Sequence, residues 1–163
     1  MGGRHRHQGA AVGRVIGRAP GTAPSAPVTV TPADLRARGE EFARFWTEYH
    51  LCTLTTLRRD GSPHVVPVGV TLDLDTATAR VITSGTSAKA RHVRAAGEDG
   101  ARVAVSQVDR ARWSTLEGLA VVRDDPESVS DAEHRYAQRY RTPRENPRRV
   151  VLEIALTRIL GSR

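Results

Sequence analysis

Residues 51–70, LCTLTTLRRDGSPHVVPVGV, constrain the fold more than any other stretch of the chain. Two runs rich in Thr, Val and Leu alternate in polarity at a period of two. Between them stands Asp60-Gly61, a dipeptide suited to tight hairpins because its residues tolerate a left-handed backbone. The spacing predicts one strand over residues 51–58 and its return over 63–72. The same period recurs in ARVITS (79–84), ARVAVSQV (101–108), WSTLEGLAVVR (113–123) and RVVLEIALTRIL (149–160). Six strands joined by short links, with few helices between them, point to a small antiparallel barrel rather than a parallel sheet alternating with helices.

Helical periods fill the gaps. Thr31 is a good N-cap, Pro32 suits the first helical position and Asp34 the first turn. Leu35, Phe42, Phe45, Trp46 and Tyr49 then recur at helical spacing and predict one helix, running through Gly39 to about Tyr49, with this face buried. A shorter helix is expected from about Ser87 to Ala95. Asp125 and Pro126 open another long one, with Val129, Ala132, Tyr136 and Tyr140 on one face. Residues 1–30, rich in Gly, Ala, Pro and Arg and without apolar period, read as a disordered tail ahead of a single domain over 31–163.

Several function classes fall away. No apolar run is long enough to span a membrane, and the Arg/His-containing start lacks a secretory apolar core, so a cytoplasmic protein is expected. The formal charge of +7 invites nucleic acid, but Arg4, Arg6, Arg14 and Arg18 of the tail carry over half of it, and no basic-aromatic alternation accompanies the rest. Cys52, the single cysteine, has no disulfide partner and reads as a small buried hydrophobe beside Leu51 and Leu54. His5 and His7 lack further ligands, and no metal site is expected. His64, opening a strand after a turn, suits a solvated or hydrogen-bonding role. No nucleophile elbow, phosphate loop or metalloprotease helix occurs, so no catalytic side chain is assigned and an enzyme of this kind would lean on a cofactor.

The stretch VITSGTSAKARHV (81–93) is where such a cofactor would bind. It holds Lys89, the only lysine in the chain. A strand ending at Thr83 and Ser84, then Gly85, then a helix beginning near Ser87 would aim unpaired backbone N–H groups at one point, with hydroxyls from Ser84, Thr86 and Ser87 and a mobile ammonium beside them. The same residues also make an ordinary capped helix with a solvated lysine. In QVDRARWSTLEG (107–118), Arg112 and Trp113 are neighbours on a strand and point to opposite faces; they meet one ligand only through a bend or a second chain. RYRTPRENPRR (139–149) reads either as a solvated loop or as a cradle for a carboxylate-bearing ligand.

Together, TLTTLRRDGSPHVVPVGV, ARVITSGTSAKA, AVSQVDRARWSTLEG and RYAQRYRTPRENPRRVV resemble the pyridoxamine-5'-phosphate-oxidase-like split barrels that use the deazaflavin coenzyme F420. Within them the chain is most similar to the actinobacterial F420-dependent biliverdin reductases. The likeness covers residues 31–163. It implies a six-stranded split β-barrel, paired as a homodimer with a cofactor in each groove at the subunit interface. It also implies that Thr83, Ser84, Gly85, Thr86, Ser87, Ala88 and Lys89 hold the cofactor phosphate and that Pro67 and Val68 lie against the deazaflavin ring. Arg112 and Trp113 would come to the groove from the partner chain. The implied reaction carries a hydride from C5 of the reduced deazaflavin to an electron-poor carbon of a conjugated acceptor, for biliverdin the central methine bridge, giving bilirubin. GEDG (97–100) lengthens one loop relative to the family. An oxidase of the same fold using flavin mononucleotide (FMN) is the alternative, although its Arg-x-Val-Leu-Leu-Lys pattern is replaced here by ARVITSGTSAK. A non-catalytic carrier of F420 or a tetrapyrrole is a third reading.

Overall fold

A computed structural model describes residues 29–161. The expected tail, with His5 and His7, lies outside the described residues except for Thr29 and Val30. Val30 belongs to the core, and its N–H donates to the Leu156 carbonyl at 2.9 Å.

The Thr31 cap forms as the sequence predicts. Its Oγ1 accepts from the Asp34 N–H at 3.2 Å while the Asp34 carboxylate accepts from the Thr31 N–H at 2.8 Å, starting α1 (Pro32–Arg36). The single helix expected to Tyr49 is instead two. Gly39, at φ +87°, takes a left-handed conformation that no helix interior accommodates, and α2 (Gly39–Phe45) starts afresh there. Leu35, Phe42, Phe45 and Trp46 are buried, but Tyr49 is 62% exposed because the helix stops before reaching it.

The strands are β1 (Cys52–Leu57), β2 (Pro63–Val68), β3 (Thr71–Asp73), β4 (Thr78–Ser84), β5 (Ala101–Asp109), β6 (Arg112–Arg123) and β7 (Arg149–Gly161). Helix α3 (Ala88–Arg94) follows β4, and α4 (Pro126–Arg139), capped by the Asp125 carboxylate on the Ser128 N–H at 2.9 Å, follows β6. Loop 97–100 holds one 3-10 turn (Gly97–Asp99). Every strand pair is antiparallel, in the order β2-β1-β5-β6-β7-β4-β3.

Two points correct the expected six-stranded split barrel. Among the described residues there are seven strands, and the hydrogen-bonded sheet is open, with β2 and β3 at its opposite ends. The expected return strand 63–72 breaks because its middle is claimed from outside the sheet. The Val70 N–H donates to the Tyr140 hydroxyl at 3.0 Å and the Val70 carbonyl accepts from Arg139 Nη1 at 2.5 Å, so α4 holds the backbone that would otherwise ladder on. The chain passes from one edge to the other through Gly69 and Val70, and β2 and β3 do not pair.

Alternation sets the core. Cys52, Leu54 and Thr56 of β1 face inward with Val105 and Gln107 of β5, Leu116 and Ala120 of β6, and Leu152, Ile154 and Leu156 of β7. Each fully buried Leu or Ile there contributes about 1.5–3 kcal/mol of burial. Among the described residues no helix is long and apolar enough to cross a membrane.

Candidate functional site

Where α4 crosses the junction of β2 and β3 lies a groove of about 560 Å³. Pro67, Val68 and Gly69 form its floor, Ile82 of β4 and Tyr136 of α4 stand at its sides, and Arg141, Arg144 and Arg149 line its rim with Glu145. Gly69 is required by close approach: a Cβ there would stand 2.5 Å from Cε2 of Tyr136 and 3.0 Å from that of Tyr140. Those two rings lean together with centroids 4.9 Å apart. Tyr140 is fixed in turn by its hydroxyl, which donates to the His50 carbonyl at 2.8 Å.

Lys89 enters the groove from the first turn of α3. It is half-buried, and its ammonium has no hydrogen bond or ion pair among the described residues. Burial holds its pKa below the usual lysine value. A partly desolvated cation without an acid beside it favours an incoming anion. Arg149 is balanced by Glu133 at 2.9 Å and also donates to the Arg144 carbonyl, whereas Arg141 and Arg144 have no carboxylate within ion-pair distance among the described residues.

The turn ahead of α3 is more self-contained than its sequence predicts. The Gly85 N–H donates to the Arg148 carbonyl at 2.7 Å, the Ser87 N–H to the Ser84 carbonyl at 3.0 Å, and the Thr86 N–H to Ser84 Oγ at 3.5 Å. These backbone donors, expected to be unpaired, are therefore engaged. Ser87 caps α3 through the Ala90 N–H at 3.3 Å, Thr83 donates to Ser87 Oγ at 3.2 Å, and the Ser84 and Thr86 hydroxyls lie 3.1 Å apart. Arg91 and Arg94 brace the turn from below, each with a guanidinium N–H 2.6 Å from a carbonyl, of Thr86 and Gly85 respectively. Of the sequence-predicted residues, Pro67, Val68 and Lys89 line the groove together; Thr83, Ser84, Gly85, Thr86, Ser87 and Ala88 form the strand end and turn leading to it.

Arg112 and Trp113 stand apart from this groove within one chain. Arg112 pairs with Asp109 at 2.7 Å and Glu48 at 3.0 Å and lies over the Phe45 ring, 4.7 Å from its centroid. Both carboxyls are held below their usual range, Asp109 by the Arg112 hydrogen bond and Glu48 by those of His50 and Arg112. Trp113, on the opposite face, is 43% exposed. Cys52 is buried as expected, and burial pushes its thiol pKa up, away from nucleophile chemistry. His64 hydrogen-bonds within the protein: its Nδ1 and that of His92 both approach Thr56 Oγ1, at 3.5 and 2.9 Å. Among the described residues no cluster of His, Cys, Asp or Glu suits a metal ion.

The pyridoxamine 5'-phosphate oxidase family model matches residues 39–162, which include the whole described sheet. The chain belongs to the pyridoxamine 5'-phosphate oxidase family. A family relative, the F420H(2)-dependent biliverdin reductase of Mycobacterium tuberculosis (strain CDC 1551 / Oshkosh), is 58% identical over 118 residues, 72% of this chain and 83% of that protein. Among solved structures, one described as an F420 reductase shares the fold with a TM-score of 0.59 at 22% identity, over 75% of this chain and 98% of that one. A conserved hypothetical protein from Mycobacterium tuberculosis aligns with a TM-score of 0.62, also at 22% identity, over 86% of this chain and 89% of that one.

Within this oxidase-family fold, sequence reasoning missed Gly69, Ile82 and Tyr136 as parts of the groove. Tyr136 sits at helical spacing from Ala132 and Tyr140 and reads as core; that its ring covers Gly69 depends on a β2–β3 junction remote in sequence. Arg141, Arg144 and Arg149 were within reach, since the arginine concentration over 139–149 offers a carboxylate cradle, and it is these three that reach the rim.

Proposed function

We propose that the chain is an F420H2-dependent reductase that converts biliverdin to bilirubin, acting in the cytoplasm as a homodimer. The observation that carries this reading is Lys89, an unpaired, half-buried ammonium in a groove whose floor is Pro67, Val68 and Gly69. The 58% identity to a protein named F420H(2)-dependent biliverdin reductase supports the cofactor and the substrate.

The residues fit a cofactor with a flat ring system and a phosphate. Bound in its reduced form, F420 supplies a hydride from C5 of the deazaflavin. The floor at Pro67 and Val68 gives the ring a flat apolar seat, and Tyr136 shields it from water on the α4 side. Lys89 would meet the phosphate as a point charge and the hydroxyls of Ser84, Thr86 and Ser87 would add neutral donors, with Thr83 holding Ser87 in place from below and Gly85 and Ala88 keeping that wall thin. Arg141 and Arg144, without an ion pair among the described residues, would hold the propionates of the substrate and orient it in the groove. The proton that accompanies the hydride comes from water at the open rim.

The homodimer accounts for an apolar face. Register and alternation put Val65, Val108, Trp113 and Leu160 on one side of the sheet with Thr53, Thr55, Ser106 and Thr115, and those four apolar side chains are 38–66% exposed. A patch of this kind on a water-soluble domain is usually covered by a partner. Pairing there puts Trp113 of one chain at the partner, and in this reading Arg112, its neighbour on β6, follows it to the edge of the partner's groove.

The test is titration of the purified protein with F420 and with FMN, followed by mixing reduced F420 with biliverdin and recording the absorbance of both. The reading expects F420 binding and stoichiometric loss of biliverdin. Failure to bind F420 would sink it; binding without oxidation of F420H2 would make the protein a carrier, and tighter binding of FMN an oxidase.

A further inference from the structure

A second groove, of about 700 Å³, opens between the β1–β2 hairpin, the C-terminal half of α3 and the start of β5, and shares no lining residue with the Lys89 groove. We propose that it binds a small, multiply charged oxyanion, a molecule bearing two or more phosphate or carboxylate groups. This site stands independently of the redox reading.

Four arginines from three elements line it: Arg58 and Arg59 from the hairpin, Arg91 from α3 and Arg102 from β5. Elsewhere Arg36, Arg44, Arg80, Arg112, Arg123, Arg135, Arg149 and Arg158 each have a carboxylate within ion-pair distance, while others, Arg139, Arg141 and Arg144 among them, have none among the described residues. None of the four groove arginines does among the described residues, and no carboxylate lines the groove. The nearest acid in the hairpin, Asp60, is occupied by the Ser62 N–H at 2.9 Å and the Ser62 hydroxyl at 2.6 Å. Asp60 feels the charge of Arg58, but no carboxylate closes an ion pair on any of the four arginines among the described residues, and an apolar wall of Leu57, Ala95 and Ala96 stands beside them.

Part of the site is organised in advance. Arg58 Nη1 donates to the Pro63 carbonyl at 2.5 Å and to the Ser62 hydroxyl at 3.4 Å, and Arg91 Nη1 to the Thr86 carbonyl at 2.6 Å, which orients both forks and leaves Nε and Nη2 of each without a partner among the described residues. Arg59 and Arg102 are exposed and without hydrogen bonds among the described residues, so they are able to close on a ligand. His92, in the same wall, is anchored by Nδ1 at 2.9 Å from the buried Thr56 hydroxyl and packs edge-on to His64 at 5.0 Å between centroids. Its Nε2 is left for the groove. The planar fork of Arg matches the oxygens of phosphate and carboxylate, and several forks around a space of this size select an anion with several such groups over a single one.

The experiment is calorimetric titration of the full chain, at constant ionic strength, with pyrophosphate, citrate and inorganic phosphate, alongside NMR of the His92 ring. Pyrophosphate or citrate should saturate one site at least about tenfold more tightly than phosphate and shift the His92 signals. The stronger of the two identifies the ligand chemistry as phosphate or carboxylate. The double variant Arg59→Gln/Arg102→Gln, at two exposed positions, should weaken that binding about tenfold or more, and Lys89→Ala should leave it in place. No saturable binding, or binding lost in Lys89→Ala and retained in the double variant, overturns the proposal.

Discussion

Arg139 and Gln107 meet inside the protein, Nη2 of one 2.7 Å from Oε1 of the other, and Arg139 has no ion pair among the described residues. Its Nε donates to the Glu48 carbonyl at 3.0 Å and its Nη1 to the Val70 carbonyl, while the guanidinium lies over the rings of Trp46 and Tyr140. A buried cation is held here by neutral acceptors and aromatic faces. The contact ties the end of α4 to β5, to the β2–β3 junction and to the segment before β1, and so sets the wall of the Lys89 groove.

Gln107→Leu removes one of those acceptors and leaves a charged N–H unmatched in the core. Stability should fall by about 1.5–3 kcal/mol, as for hydrogen bonds to charged groups. Urea unfolding should show a lower midpoint at an unchanged slope. A midpoint equal to that of the parent would mean that Arg139 finds another partner.

How much of this the sequence encodes depends on the range of the interaction. The hairpin at Asp60-Gly61, the Thr31 capping box and the start of α4 at Asp125-Pro126 are written within a few residues, and they form as read. The break in the return strand is not local: Val70 is claimed by Tyr140, 70 residues away. The same holds for the turn before α3, where the Arg148 carbonyl takes the Gly85 N–H that looked free. Lys89 was legible because strand end, turn and helix start lie together in the chain; Tyr136 was not, because its partner Gly69 lies on another element.

Gly69→Ala should disturb the groove before it disturbs the fold. The new methyl would stand 2.5 Å from the Tyr136 ring and 3.0 Å from that of Tyr140. Tyr140 is fixed by its hydroxyl bonds, so Tyr136 must swing outward, away from the floor. Overpacking of this kind costs about 1–3 kcal/mol. The expected outcome is a lower melting temperature together with weaker F420 binding; a loss of stability with unaltered binding would remove Tyr136 from the site.

Lys89→Ala should weaken F420 binding by about 1–3 kcal/mol, the range for one charge-assisted partner. Fluorescence titration of the cofactor measures it. Because Lys89 has no partner among the described residues, its removal strands no other group, and thermal stability should be unchanged or slightly higher. Equal affinity in the variant would return Lys89 to a solvated surface role.

His92 makes stability depend on pH. Burial first, then repulsion from His64, Arg58 and Arg91, hold its folded pKa below the ordinary 6.5. Between those two values the unfolded chain takes up a proton that the folded chain refuses, so stability must fall as pH drops through 6.5 towards the folded pKa, and levels off once both states are protonated. His92→Gln keeps an amide for the Thr56 hydroxyl but lacks the titration. Melting temperatures measured from about pH 7.5 down to about pH 5, across the histidine range, should therefore decline more steeply in the parent than in the variant. Parallel curves would show that the proton taken up on unfolding belongs to another group.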